Sequence, residues 1–254
     1  QLKYVFAEID ELIPTPIKTE ENDQTQVSAN TDAGFSIVTW TADADNGTVG
    51  HGLNSAPEFI LAKPVGSGTN WYVMHTPGGV VPANNVLNLD SNAAAFNPGV
   101  NHFNDTYPTS TVFSYGGYLG DDLSNDDKVA YCFHSVEGYS KFGSYFGNSS
   151  GTDGPFVHTG FAPTFVLGKV ITQTGRWWIY DSARSPAMLY SIGTGAYLAA
   201  NSTNTEASDS GANAVQLLSN GFKLNTTNAE WNGSGNTYVY LAFAEVPFKY
   251  ANAR

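Results

Sequence analysis

The chain has 254 residues, 41% of them hydrophobic and only 13% charged, with 23 acidic against 11 basic side chains and a formal net charge of −12. That hydrophobic share excludes a disordered chain. The acidity excludes a partner bound through its phosphates, nucleic acid or an anionic membrane, because such contacts need clustered Lys and Arg.

With so few charges, solubility falls to Asn, Ser, Thr and Gly, the residues of turn-rich β proteins. The 14 Tyr, 15 Phe and 5 Trp suit pleated, half-buried surfaces. No apolar run approaches the roughly 18 residues a spanning helix needs. Gln1 in place of Met reads as the start of a cleaved or excised piece.

The opening segment differs in character from the rest of the chain. Tyr4–Ile9 echoes Leu241–Val246, which makes it a candidate last strand of an upstream unit, and Ala7–Leu12 is the best short helical candidate. Ile13-Pro14-Thr15-Pro16 and the charged run Lys18–Asp23 read as an extended linker.

Beyond the linker the chain repeats itself. Ala56–Lys63 matches Ala162–Lys169 at an offset of 106, and Asn70–Met74 falls on Arg176–Tyr180 at the same offset. His51 lies opposite His158 with one residue of slack, and Phe113 opposite Phe222. Ala130–Val136 then matches Tyr240–Val246 at an offset of 110.

These blocks read as strands. Phe59–Ala62 and Phe165–Leu167 are apolar on both faces, as in a covered central strand. Val129, Tyr131 and Phe133 alternate with smaller residues, as do Val239, Leu241 and Phe243, and that period of two marks their face as core. Leu218–Phe222 carries Asn-Gly between apolar residues, a hairpin signal. Pro57 and Pro163 each precede a strand, where a missing N–H costs no ladder bond.

The expected fold is all-β: two tandem, internally duplicated antiparallel β-sandwich or jelly-roll-like units with a short N-terminal segment. The expected division is 1–32 for the N-terminal strand or short helix and linker, 33–146 for unit 1 and 147–254 for unit 2. The Gly/Asn/Ser-rich stretch Gly143–Gly154 supplies the break.

Candidate chemistry is sparse. His51, His75, His102, His134 and His158 show no zinc spacing, so no metal is expected. Asp121–Asp127 and Asp43–Asn46 could hold a hard cation, yet lack the spacing of a calcium loop and read as solvated loops. Cys132, in an apolar run, reads as a buried small hydrophobe. Glu58, Glu137 and Glu245 are the carboxylates a glycosidase would have to draw on. Glu58 is replaced by Thr164 in the second copy and Glu245 by Ser135 in the first. No nucleophile elbow or phosphate loop is present, so neither catalysis nor a cofactor is expected. Six Asn-x-Ser/Thr triplets, at Asn46, Asn104, Asn148, Asn201, Asn225 and Asn232, are what an Asn/Ser/Thr-rich chain produces by accident.

Sugar binding is the site chemistry the residues favour, through rings that stack on apolar sugar faces. Trp71/Val73 and Trp177/Ile179 share one face, read as core. Tyr72/Met74 and Trp178/Tyr180 lie on the other, where Tyr72, Trp178 and Tyr180 could line a groove with Arg176 and Asp181 nearby. The same face could equally be covered by a partner sheet or a neighbouring subunit. Trp231, in Glu230-Trp231-Asn232-Gly233, reads as an exposed tip aromatic.

Val27–Val38, Gly50-His51-Gly52-Leu53 with Ala56-Pro57, Val136–Tyr145, Asp153–Val157 and Pro247–Arg254 resemble the motifs of a repeated domain in large virion proteins of tailed bacteriophages, many of them marine. The resemblance spans Gln24–Arg254. It implies a virion protein of a fibre, spike or appendage, on the outside of the particle. Other virion proteins would be its partners, with a homo-oligomer, a trimer by analogy with fibres, and a host-surface glycan. A capsid-decorating or neck-attached subunit is the alternative, and a secreted lectin or glycan-active enzyme a third reading. The resemblance carries no catalytic residues.

Overall fold

A computed structural model gives the architecture, and it describes residues 25–42, 46–66, 68–119, 127–184, 196–208 and 215–245. The short helix and echo expected at Tyr4–Leu12, the linker, most of the Asp121–Asp127 run and Asp43–Asp45 lie outside these residues. The chain is all-β, in antiparallel sheets. No described helix is long and apolar enough to cross a membrane.

The chain divides into two compact units. The first takes Gln1–Thr76, Ala83–Val86 and Asn97–His134, and the second takes Pro77–Pro82, Leu87–Phe96 and Ser135–Arg254.

The strands in chain order begin with β1 (Gln26–Asn30), β2 (Phe35–Thr41), β3 (Gly47–Gly50), β4 (Phe59–Pro64) and β5 (Tyr72–His75). β6 (Leu87–Asn88), β7 (Val112–Tyr115) and β8 (Asp127–Phe133) come next. In unit 1 the main sheet runs β1-β2-β8-β4-β5, and β3 pairs with β7 in a second, two-stranded sheet. Pro57 sits just before β4, as its missing donor requires.

Unit 2 contains β9 (Ser140–Phe146), β10 (Phe156–His158), β11 (Phe165–Val170), β12 (Trp178–Asp181), β13 (Ala196–Ala199), β14 (Ala207–Ser208), β15 (Val215–Leu218), β16 (Gly221–Leu224) and β17 (Thr237–Phe243), with one short helix, α1 (Ala229–Asn232). Its main sheet runs β9-β17-β11-β12-β13-β14, and a three-stranded sheet runs β10-β16-β15.

The two main sheets share an order, β2-β8-β4-β5 in one and β9-β17-β11-β12 in the other. Their registers also agree. Phe59 pairs with Phe133 and His75, and Phe165 pairs with Phe243 and Asp181. Those partners stand at the offsets of 110 and 106 read from the sequence.

One boundary moves. β9 pairs with β17 along its whole length, Ser140 with Phe243 through Phe146 with Thr237. It therefore belongs to unit 2, and the division falls after His134, ahead of the Gly-rich stretch. β9 holds the place in its sheet that β2 holds in unit 1. The start of its outward edge is taken up by its own chain: Ser140 N–H donates to Val136 O, Val136 N–H to Ser140 O, and Phe142 N–H to Ser135 Oγ.

Each core collects side chains from a main sheet and its smaller one. In unit 1 the buried cluster takes Val38 and Trp40 from β2, Ile60 and Ala62 from β4, Tyr72 and Met74 from β5, and Ala130 and Cys132 from β8. Val49 of β3 and Phe113 and Tyr115 of β7 complete it. In unit 2 it takes Tyr145, Val166, Trp178, Tyr180, Tyr238 and Tyr240, with Val157, Leu217, Phe222 and Leu224 from the three-stranded sheet.

This corrects the expected inward face of β8 and β17. Ala130 and Cys132 point into the cluster while Tyr131 is only half-buried, and Tyr240 and Ala242 do so in unit 2. Small side chains suffice there because Trp40, Tyr72 and Phe113 fill the space. Val239 and Leu241 on the other face are buried as well, so β17 is apolar on both sides.

The hairpin expected at Leu218–Phe222 forms, with Leu218 pairing Gly221. Its two-residue loop is Ser219-Asn220, and Gly221 stands inside β16.

Candidate functional site

The aromatic residues expected to line a groove lie in the cores. Tyr72 is buried in unit 1, edge-on to His102 at 4.0 Å. Trp178 and Tyr180 form a T-shaped pair at 5.4 Å inside unit 2. All three belong to the buried clusters of their units, so they present no ring face to solvent. The other face was expected to be core, and Val73, Trp177 and Ile179 on it are buried too.

Trp231 is the sharpest correction, since an exposed tip was expected and the residue is 0% exposed. The Asn228 side chain accepts from Glu230 N–H and starts α1. That single turn drops Trp231 against Tyr197 at 5.1 Å and Tyr180 at 6.3 Å.

Arg176 and Asp181 do not come together. Arg176 grips Glu230 through Nε and Nη2, the shorter contact being 2.6 Å. Its guanidinium lies 5.4 Å from the Tyr197 ring centre. The Glu230 hydrogen bonds raise the Arg176 pKa further above its ordinary value. Asp181 accepts from the Arg184 backbone at 2.7 Å and pairs with the Arg184 guanidinium, which also meets Glu206 at 3.2 Å. Arg176 and Asp181 are thus each held by a neighbour of opposite charge.

Beneath Arg176 lies a buried ammonium. Lys169 Nζ donates to Gly175 O at 2.6 Å and Asn92 O at 3.3 Å, and sits 5.8 Å from the Trp177 ring centre. Burial lowers its pKa to about 8, with the nearby Glu230 charge opposing. Lys63, at the matching place in β4, lies 5.6 Å from the ring centre of Trp71. Both sites are cation–π props within a sheet.

Of the remaining candidates, His51 and Cys132 are buried. His51 accepts from Leu53 N–H at Nδ1, and its Nε2–H donates to Thr109 O at 3.1 Å. Burial lowers its pKa. His158, its sequence counterpart, is exposed. Cys132 is fully buried, which pushes its thiol pKa up and away from nucleophile chemistry. Among the described residues no three His, Cys, Asp or Glu side chains gather as a metal site would require. Asp127, the described end of the acidic run, accepts from Thr41 Oγ1 at 2.8 Å.

Sequence reasoning passed over the outer face of the β10-β16-β15 sheet. Its inner residues Val157, Phe222, Leu217, Val215 and Leu224 are core. Pleat alternation turns their neighbours outward: Phe156 opposite Lys223 and then Gln216, and His158 opposite Gly221 and then Leu218. Phe156 is 46% exposed. A Cβ on Gly221 would meet the Val157 carbonyl oxygen at 2.1 Å and the edge of the Phe156 ring at 3.0 Å, so backbone and ring both crowd the glycine. Phe156 and His158 are 6.4 Å apart, ring centre to ring centre, and Lys223 Nζ stands 3.5 Å from Asp153.

Together these features define an all-β protein of antiparallel sheets with aromatic cores. The chain belongs to the family described as Domain of unknown function (DUF7483), which it matches over residues 15–247. Comparison with curated proteins and with solved structures finds no match.

Proposed function

We propose that the chain is a structural protein of a tailed-bacteriophage virion, built from two copies of one β-sandwich unit, in a tail fibre, spike or other appendage. It works on the outside of the particle in assembly with other virion proteins and in attachment to host-surface glycan. It acts as a homo-oligomer and catalyses no reaction.

The observation that supports this best is the agreement of register with sequence offset. Phe59 with Phe133 and Phe165 with Phe243 are the same pair, displaced by 106 and 110 residues. Separately folding lineages would have no reason to keep both the strand order and the offsets, whereas duplication of one unit keeps them together. A duplicated scaffold with differing polar edges suits assembly and recognition. The virion setting rests on the resemblance carried by the motifs from Val27–Val38 to Asp153–Val157.

The test is to label purified particles with an antibody raised against residues 25–245 and image them, while the isolated chain competes with phage for adsorption to host cells. Label on tail appendages and slowed adsorption are expected. Label over the capsid shell with no competition would replace the appendage by a capsid-decorating subunit. Release of reducing sugar from host polysaccharide would overturn the non-enzymatic role.

A further inference from the structure

The fold uses one device repeatedly: an aromatic ring laid across a glycine on a neighbouring strand. Gly168 pairs with Trp178, Gly143 with Tyr240 and Gly47 with Tyr115, and in each case a Cβ on the glycine would strike the ring. Those three rings point into the cores. On the outer face of the β10-β16-β15 sheet a Cβ on Gly221 would meet the Val157 carbonyl oxygen at 2.1 Å and the edge of the Phe156 ring at 3.0 Å, and here the ring is 46% exposed.

The corresponding face of unit 1 is bare of this chemistry. Val49 pairs with Phe113 there as Val157 pairs with Phe222 in unit 2, and all four are buried. The alternate positions in unit 1 hold Thr48, Gly50, Val112 and a buried Ser114, where unit 2 has Phe156, His158, Gly221 and Lys223. One face has been furnished and its counterpart left plain.

We propose that this outer face is the glycan-binding site of the chain and that its ligand is a neutral sugar. The C–H face of a pyranose packs on the Phe156 ring, and its hydroxyls meet the His158 imidazole, the Lys223 ammonium and the Gln216 amide. Charge selects the class. Lys223 is already matched by Asp153, so the patch is locally balanced, and a chain of net charge −12 repels a polyanion. A polyol meets no such barrier and can both donate and accept at every polar group present. The assignment rests on the attachment role proposed for the whole chain.

The test is affinity electrophoresis of the chain through gels containing dextran, laminarin, xylan, galactan or alginate, beside adsorption to host cells. Retardation by at least one neutral polysaccharide and none by alginate is expected. Phe156→Ala, which removes a half-exposed ring, should weaken retardation about five- to tenfold, and Phe156→Trp should keep it. Thr48→Ala, on the counterpart face, should change nothing. Thermal melting of each variant separates lost binding from lost folding. No neutral gel retarding the chain, alginate retarding it most, or Phe156→Ala retarded like wild type would each overturn the site. Cell adsorption that survives Phe156→Ala would overturn it while leaving attachment standing. Phe156-dependent retardation without cell adsorption would leave the site standing and sink the attachment role.

Discussion

Gly168 and Trp178 face each other across β11 and β12, and a Cβ on the glycine would come 2.3 Å from the indole ring. Trp178 is fully buried with Tyr180 beside it, so neither side can give way. Gly168→Ala should therefore destabilise unit 2 by about 2 kcal/mol or more through overpacking. Gly50→Ala meets only Thr111 O, at 3.9 Å, and should stay within about 0.5 kcal/mol of wild type. Urea unfolding of both variants checks the contrast.

Asn232 ties three segments together from a fully buried position. Its Oδ1 accepts from Asn148 N–H, and its Nδ2 reaches Thr226 O at 2.8 Å and Asn148 Oδ1 and Ser150 O at 3.1 Å. Asn232→Ala should cost about 1–3 kcal/mol by orphaning these groups. Asn232→Asp should be no better, because a carboxylate cannot donate to three oxygens. Hydrogen exchange should show residues 147–154 losing protection first in both.

Acid should loosen unit 1. Burial holds the His102 pKa at about 4 and lowers that of His51, so the unfolded chain takes up protons that the folded one refuses. Stability linked to His102 is complete above pH 6.5 and is lost as pH falls toward 4, by up to about 3 kcal/mol. His102→Phe cannot take up that proton and should flatten the loss when urea midpoints are compared at pH 7 and 4.5.

Base should act on unit 2 with the opposite sign at first. Lys169, at about 8 when folded, sheds its proton before the unfolded lysine does at about 10.5. Stability should rise between pH 8 and 10. Above pH 10 the trend should reverse, because burial raises the pKa of Tyr145 and Tyr238 and unfolded tyrosines ionise first. Lys169→Met should abolish the rise and keep the fall, read from urea midpoints across pH 7–11.

Much of the fold was legible because strand cores are conspicuous. The offsets from Phe59 to Phe165 and from Phe133 to Phe243 come from apolar blocks, and the pairing registers repeat them. The correspondence of β2 with β9 was not legible, because Phe35–Thr41 and Ser140–Phe146 place different side chains on one backbone path. The candidate site was read least well. Residues on both faces are buried at Tyr72-Val73 and at Trp177–Tyr180, so alternation separated two faces there without showing that neither is open. Trp231 looked exposed because its neighbours Glu230, Asn232 and Gly233 are turn residues, yet the same Asn and Gly serve a helical turn that carries the ring inward. Phe156 was passed over because its partner Lys223 and the neighbouring Gly221 are distant in sequence.

The outer margin of β9 has a bearing on crowding. A strand at the end of a sheet ordinarily offers a free ladder to any neighbour, and proteins packed side by side at high local concentration can fuse along such ladders. Here Ser135 and Val136, the residues leading into β9, occupy the first positions of that ladder themselves. A neighbouring chain is thereby kept from pairing with the first residues of β9, Ser140 to Phe142.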